Sequence, residues 1–123
     1  MQVSTCSKGR EGENAAAVYL ENEGFTILQR NFRAPGGEID IIGVLDNTII
    51  FFEIKTVPRD RFDQIEYILN RGKMGRIIRT SKKFLYNNTK YQEYPVRYDL
   101  LCCDGAGHIH RHVENAFFEE GIG

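Results

Sequence analysis

The sequence predicts a single α/β domain with the element order α-β-β-β-α-β-β, a mixed sheet flanked by helices. Three observations predict it. Apolar residues recur at helical spacing near the start of the chain and again over 71–87. Between these stretches, runs rich in β-branched and aromatic residues are separated by turn residues. The last of these runs, the second helix and a later alternating run form a strand–helix–strand unit, and a crossover of that length places its two strands parallel.

The first helix is expected from about Lys8 to Glu23, with Ala16, Ala17 and Leu20 as its inward stripe, Gly24 as the left-handed stop and Phe25 folding back behind it. From Phe25 to Arg33 apolar and polar residues alternate loosely, as in a first strand, and Pro35-Gly36-Gly37 turns the chain. Ile39–Val44 and Thr48–Thr56 have strand composition, and Asp46-Asn47 between them is turn chemistry, so the two runs read as an antiparallel hairpin. From Thr56 to Asn70 the pattern degrades; Pro58 ends the strand and Arg59-Asp60-Arg61-Phe62-Asp63 reads as a mobile loop. Met74, Ile77, Ile78, Ser81, Phe84 and Leu85 then define a helix from about Arg71 to Asn87 with Asn70 as its N-cap. Val96, Tyr98 and Leu100 alternate with Arg97 and Asp99 before Leu101-Cys102-Cys103, a strand that becomes fully buried, and Asp104–Gly107 turns into a last strand over His108–Val113. Phe117 in the tail is expected to cap the core.

With 123 residues, 41% hydrophobic and 27% charged, the chain has material for one core and nothing calls for a second domain. The formal net charge of −1 says little as a total, so any nucleic-acid surface must come from local clustering. Three cysteines, of which Cys102 and Cys103 are adjacent, make no disulfide framework and suit a reducing cytoplasm as small buried residues. No signal peptide is evident and no apolar run is long enough to cross a bilayer, so a cytoplasmic protein without a membrane partner is expected.

The hairpin carries the chemistry. If Asp46 and Asn47 form a two-residue loop, Leu45 pairs with Thr48, Ile42 with Phe51, Asp40 with Glu53 and Glu38 with Lys55. Glu38, Asp40, Glu53 and Lys55 then share a polar face, while Ile39, Ile41, Phe52 and Ile54 form the core face. Carboxylates directly opposed on a sheet are destabilising unless a cation or a shared proton lies between them. Such oxygen donors suit Mg²⁺ or Mn²⁺, and a lysine beside the ion can orient or help deprotonate an attacking water. The plainer alternative is that these residues are the wet side of a half-exposed sheet.

Further candidates lie on other elements. Glu13 falls on the inward face of the first helix, where it is either an early-turn carboxylate still wetted by solvent or a third carboxylate of the site. Arg33 either contacts phosphate or makes a surface salt bridge. The second helix carries Arg71, Lys73, Arg76, Arg79, Lys82 and Lys83 with no acidic residue among them, which favours a phosphate-contacting surface over a solvated face of mixed charge. His108, His110 and His112 share one strand face that could in principle bind zinc, although such imidazoles are usually just exposed.

Asp40 followed thirteen residues later by Glu53-Ile54-Lys55 resembles the core of the PD-(D/E)XK nucleases, with Ile39-Asp40 in place of Pro-Asp. More narrowly, Gly9-x-x-Gly12-Glu13-x-x-Ala16, Asn31-Phe32-Arg33, Gly37-Glu38-Ile39-Asp40 and Phe52-Glu53-Ile54-Lys55 resemble the YraN-like family of bacterial proteins, and the likeness extends over nearly the whole chain. The resemblance implies a restriction-endonuclease-like fold similar to archaeal Holliday-junction resolvases, and an N-terminal helix glutamate, here Glu13, that reaches a metal site. Lys73 and Asn115-Ala116-Phe117 also match the family. Val57, where a basic residue is usual, and Asp63, where glycine usually follows the phenylalanine, depart from it and bear on substrate contacts.

The function expected is metal-dependent hydrolysis of nucleic-acid phosphodiester bonds, with branched DNA among the substrates and DNA favoured over RNA. Asp40, Glu53 and Glu13 would hold Mg²⁺ or Mn²⁺, Lys55 would position water or the scissile phosphate, and Arg33, Lys73, Arg76, Arg79 and Lys83 would contact the backbone. The alternative is a binding module that keeps the nuclease fold without cutting. Two-fold junctions would favour a homodimer.

Overall fold

The fold is given by a computed structural model that describes residues 5–58, 60, 71–119 and 121–122. Helix α1 (Thr5–Asn22) is followed by β1 (Thr26–Ala34), β2 (Gly37–Leu45), β3 (Thr48–Thr56), α2 (Arg71–Asn87), a single 3-10 turn at Thr89–Tyr91, β4 (Val96–Cys103), β5 (Ile109–Phe118) and a two-residue β6 (Gly121–Ile122). The strands lie in sequence order in one sheet, antiparallel except for the β3–β4 pair. This is the expected α/β order with one short strand added, and a mixed sheet flanked by helices is what a restriction-endonuclease-like fold requires. Most of the expected loop after Pro58, including Arg61, Asp63 and the N-cap Asn70, lies outside the described residues.

Local chemistry explains the element ends. Gly24 takes φ +96°, the Gly24 N–H bonds to Glu21 O at 3.1 Å and the Phe25 N–H to Leu20 O at 3.0 Å, the paired bonds of a Schellman stop. Phe25 and Leu20 then pack in the same core cluster, which fixes the angle at which β1 leaves α1. Asp46 and Asn47 both have positive φ, 49° and 58°, so the β2–β3 loop is the tight two-residue turn whose twist matches its strands.

That turn sets the register as far as Ile41–Phe52, through Leu45–Thr48 and Ile42–Phe51, as expected. There the ladder stops, and the expected Asp40–Glu53 and Glu38–Lys55 pairs do not form. The alternation of an antiparallel ladder would next bond Ile54 N–H to Ile39; instead that N–H donates to Asp40 Oδ2 at 2.8 Å. The Asp40 side chain therefore replaces a rung of the sheet and lets the strands diverge. Glu38 pairs with Arg33 on β1, and Glu53 pairs with Leu100 on β4.

A second correction concerns the core, which occupies both faces of the sheet. Under α2, Ile39, Ile42, Ile49, Phe51, Leu100 and Phe117 pack with Met74, Ile77, Ile78 and Phe84. Under α1, Ile41, Ile50, Phe52 and Leu101 pack with Ala16, Ala17 and Leu20. Ile39 thus joins the cluster opposite to Ile41, which strict alternation forbids, because β2 turns over at Asp40 where its ladder to β3 ends. Glu53 and Lys55 continue the buried row of Ile49 and Phe51, so they sit at the end of a covered apolar face instead of on a wet one. Gly37 is needed for this closeness: a Cβ there would run into the Thr80 hydroxyl and lie 3.2 Å from the Arg76 carbonyl oxygen.

Candidate active site

Where β2 and β3 diverge, the first turns of α2 close over the gap. Gly37, Glu38, Asp40, Glu53, Lys73, Arg76 and Ile77 line a cavity of about 170 Å³. Asp40 reaches it from the turnover of β2 and Glu53 from the buried row of β3. Lys73 comes from the first turn of α2, one residue before the core residue Met74.

Glu53 Oε1 lies 2.6 Å from Lys73 Nζ and 3.4 Å from Lys55 Nζ, so one carboxylate is shared by two ammonium groups. Among the described residues Asp40 has no such partner, and it accepts the Ile54 N–H instead. Burial and the charge of Glu53 push the Asp40 carboxyl up to about 7, with smaller contributions from Glu38 and Glu13, although the Ile54 N–H pulls the other way. Burial and the neighbouring Lys73 push Lys55 below its ordinary value, against the pull of Glu53. Burial also opposes the charge on Lys73, but its bonds to Glu53 and Lys55 outweigh that and raise it. The cavity thus holds a carboxyl that ionises reluctantly and an ammonium that stays charged, and Lys55, held below its ordinary value, contacts the same Glu53.

A divalent cation fits the Asp40–Glu53 pair, because it would remove the repulsion that raises Asp40 and because both donors are hard oxygens. Glu13 stands apart. It is buried, at 8% exposure, and its Oε1 accepts 2.8 Å bonds from Arg30 Nε and Asn31 Nδ2. It is therefore not the solvent-wetted carboxylate of the plainer expectation, and it ties α1 to β1 at the point where Asn31 adopts φ 54°. Carboxylate oxygens of Glu13, Asp40 and Glu53 do not all come within 4.8 Å of one another, so Glu13 acts on Asp40 here through its charge.

The remaining predicted residues spread along α2 and β1. Arg33 makes an exposed salt bridge to Glu38 at 2.9 Å, the second of its two readings. Arg76 is exposed at the cavity rim, and Arg71 and Arg79 are exposed farther along the helix. Lys82 is paired with Glu119, and Lys83 donates to the Pro35 carbonyl at 2.6 Å. Lys73, expected among the phosphate contacts, is instead part of the carboxylate cluster; only its position just before Met74 in the helical pattern hinted that it points inward.

On the other face, under α1, lies a polar cluster that the strand pattern did not indicate, built around one fully buried acid. Asp99, placed by alternation among the polar positions of β4, is 0% exposed. It accepts from Arg97 Nε and Nη2 at 2.9 and 2.8 Å and from the Asn115 N–H at 2.9 Å, and His112 Nε2 lies 2.7 Å away. Burial raises the Asp99 carboxyl, but these bonds outweigh it and hold the group below its usual value. The three histidines do not form one set: His112 packs against Phe25 and Phe52, while His108 precedes β5 and turns with His110 to Asp104. A shared face in the sequence pattern did not mean a shared ligand.

Among the described residues no helix is long and apolar enough to cross a membrane. Residues 12–103 match the uncharacterised protein family UPF0102, a span that contains Glu13, Asp40, Glu53, Lys55 and Lys73. A UPF0102 protein of Treponema denticola is 33% identical over 95% of both chains. One from Thermodesulfovibrio yellowstonii is 38% identical over 89% of this chain and 95% of its own, and one from Clostridium perfringens is 34% identical over 92% and 87%. With the match running from within α1 through α2 to the end of β4, the chain belongs to the UPF0102 family, the YraN-like family that its motifs resemble.

Proposed function

We propose that this protein is a metal-dependent nuclease whose reaction centre is the cavity between β2, β3 and α2. The observation that carries this reading is the meeting of Asp40 and Glu53 in one cavity with Lys73, with Lys55 in contact with Glu53. Two carboxylates at a break in a sheet, one of them raised to about 7, weaken the fold unless the site has work to do.

In this reading Asp40 and Glu53 hold Mg²⁺ or Mn²⁺. An ion held there would lower the pKa of a water and offset charge on the phosphate. Lys55, held below its ordinary value by burial and Lys73, accepts a proton from the attacking water or orients it toward phosphorus. Lys73 stays charged and moves between Glu53 and a phosphate oxygen. Arg76 at the rim, with Arg79 and Lys83 beyond it, holds the flanking backbone. The free thiols of Cys102 and Cys103 suit work in a reducing cytoplasm. Action on two-fold branched DNA would pair two copies.

One observation favours a second reading. Lys73 lies 2.6 Å from Glu53 and neutralises part of the charge a metal would meet, as expected of a nucleic-acid-binding module that no longer cuts. Incubation with junction, flap, duplex and single-stranded DNA and with RNA, in Mg²⁺ or Mn²⁺, separates the two. Cleavage that chelator abolishes, and that Glu53→Ala and Lys55→Ala lose while binding persists, supports the nuclease. Binding with no cleavage of any member supports the module.

A further inference from the structure

The turn between β4 and β5 gathers three side chains that the proposed phosphodiester chemistry does not use. Asp104 directly follows β4, His108 ends the turn and His110 is the second residue of β5. Asp104 Oδ1 is held by the backbone N–H groups of Ala106 and His108 at 2.9 and 3.0 Å. Its other oxygen, Oδ2, faces His110 Nε2 at 2.8 Å and His108 Nδ1 at 3.3 Å. The three donor atoms lie within 4.8 Å of one another.

We propose that Asp104, His108 and His110 form a metal site for a borderline transition ion of the zinc class, separate from the carboxylate cavity. A tetrahedral ion with bonds of about 2.0–2.2 Å spans donor–donor edges of roughly 3.3–3.6 Å. Of the three edges, the one from His108 to Asp104 already has that length, the one from His110 to Asp104 at 2.8 Å has to open slightly, and the one between the two imidazoles lies within 4.8 Å. The donor set of two imidazole nitrogens and one carboxylate oxygen selects zinc, cobalt or nickel over magnesium, whereas the all-oxygen Asp40–Glu53 pair does the reverse. The two N–H bonds to Oδ1 provide the outer shell that fixes a ligating carboxylate. The His108 side chain is 70% exposed, so an ion has a route from solvent and an open position for water.

The site lies on the α1 side of the sheet, since Gly107 in the same turn packs toward Ala15. An ion there joins the turn to β5 and stiffens the hairpin against α1. This role is independent of whether the protein cuts nucleic acid.

Isothermal titration of chelator-stripped full-length protein with ZnCl₂, and visible spectroscopy of the Co²⁺-loaded protein, test the site. One equivalent is expected to bind and to give the intense d–d absorption of a tetrahedral ion, with Mg²⁺ unable to displace it. His110→Gln and His108→Gln should weaken binding by at least the roughly tenfold to hundredfold that even an outer-shell loss costs. The Asp40→Asn, Glu53→Gln double variant should bind zinc as the wild type does. His108→Gln, at an exposed position, retains the fold and keeps the test valid if His110→Gln does not. Absence of zinc binding by the wild type, wild-type affinity in His108→Gln, or loss of binding in the cavity double variant would each overturn the proposal.

Discussion

Two aspartates on opposite faces of the same sheet, one half-buried and one fully buried, have opposite fates. Asp99, the more deeply buried, is held below its usual pKa, while Asp40 is pushed up to about 7. Depth of burial is thus not what separates them. Asp99 has a bidentate arginine, an imidazole and a backbone N–H around it, whereas Asp40 accepts one backbone N–H and feels the negative charge of Glu53 and, more weakly, of Glu38 and Glu13. The fold satisfies one acid completely and leaves the other in conflict with its neighbours. A satisfied buried charge locks packing, whereas an unsatisfied one beside a cavity is where a ligand can contribute binding energy.

The largest effect should come from breaking the satisfied cluster. Asp99→Ala leaves Arg97 and His112 without their shared partner and should cost about 3–5 kcal/mol in urea unfolding, as expected when one side of a buried charge pair is removed. A loss under about 1 kcal/mol would make the cluster incidental.

Asp40→Asn should act in the other direction, raising the stability of metal-free protein by roughly 0.5–2 kcal/mol at pH 8. The sign follows from linkage. The folded-state pKa of Asp40 is raised from 3.8 to about 7, so the wild type binds the proton more tightly when folded and loses that stability as pH rises through 7. Asp99 is the reverse case, its contribution present above its unfolded value and lost as pH falls through its lowered folded one. Wild type and Asp40→Asn should therefore converge in chemical denaturation as pH is lowered from 8 to 5. Parallel curves would remove Asp40 from the account.

A smaller effect is expected at the lysines. If the cavity cuts nucleic acid, Lys73→Met removes a neighbour that lowers Lys55, and the ascending limb of the pH–rate profile, where Lys55 loses its proton, should move to higher pH. An unmoved limb would separate Lys55 from proton transfer. The smallest effect belongs to the exposed helix face: Arg76→Ala and Arg79→Ala should each reduce the slope of log K against log salt by about 0.9 on duplex DNA. An unchanged slope would place the backbone contacts on another surface.

What the sequence made legible was whatever depends on short range. Periodicity located α2 from Arg71 to Asn87, Gly24 stopped α1, and Asp46-Asn47 set the hairpin register, because each is determined by a few neighbouring residues. The meeting of Asp40 with Glu53 followed from that register even though the regular pairing did not. What remained hidden depends on departures from periodicity and on contacts between distant elements. No local pattern says that the Asp40 side chain replaces a ladder rung and turns Ile39 over to the α2 face. Nor could spacing reveal that Glu13 is claimed by Arg30 and Asn31, since those partners arrive from another element. Asp99 was read as a polar strand position because alternation cannot anticipate that Arg97 and His112 enclose it.

The conflict between Asp40 and Glu53, and its expected relief by a divalent cation, is the point on which the proposed site turns. It is tested most directly by following the Asp40 side-chain carboxyl carbon by NMR through a pH titration of metal-free protein, then repeating it with saturating Mg²⁺ and in Glu53→Gln. The expected midpoint is about 7 in the first case, and it should fall in both of the others, only part of the way in Glu53→Gln because burial, the larger cause, remains. A midpoint already near 3.8 in the metal-free wild type, unmoved by Mg²⁺ or by Glu53→Gln, would contradict both the conflict and its relief.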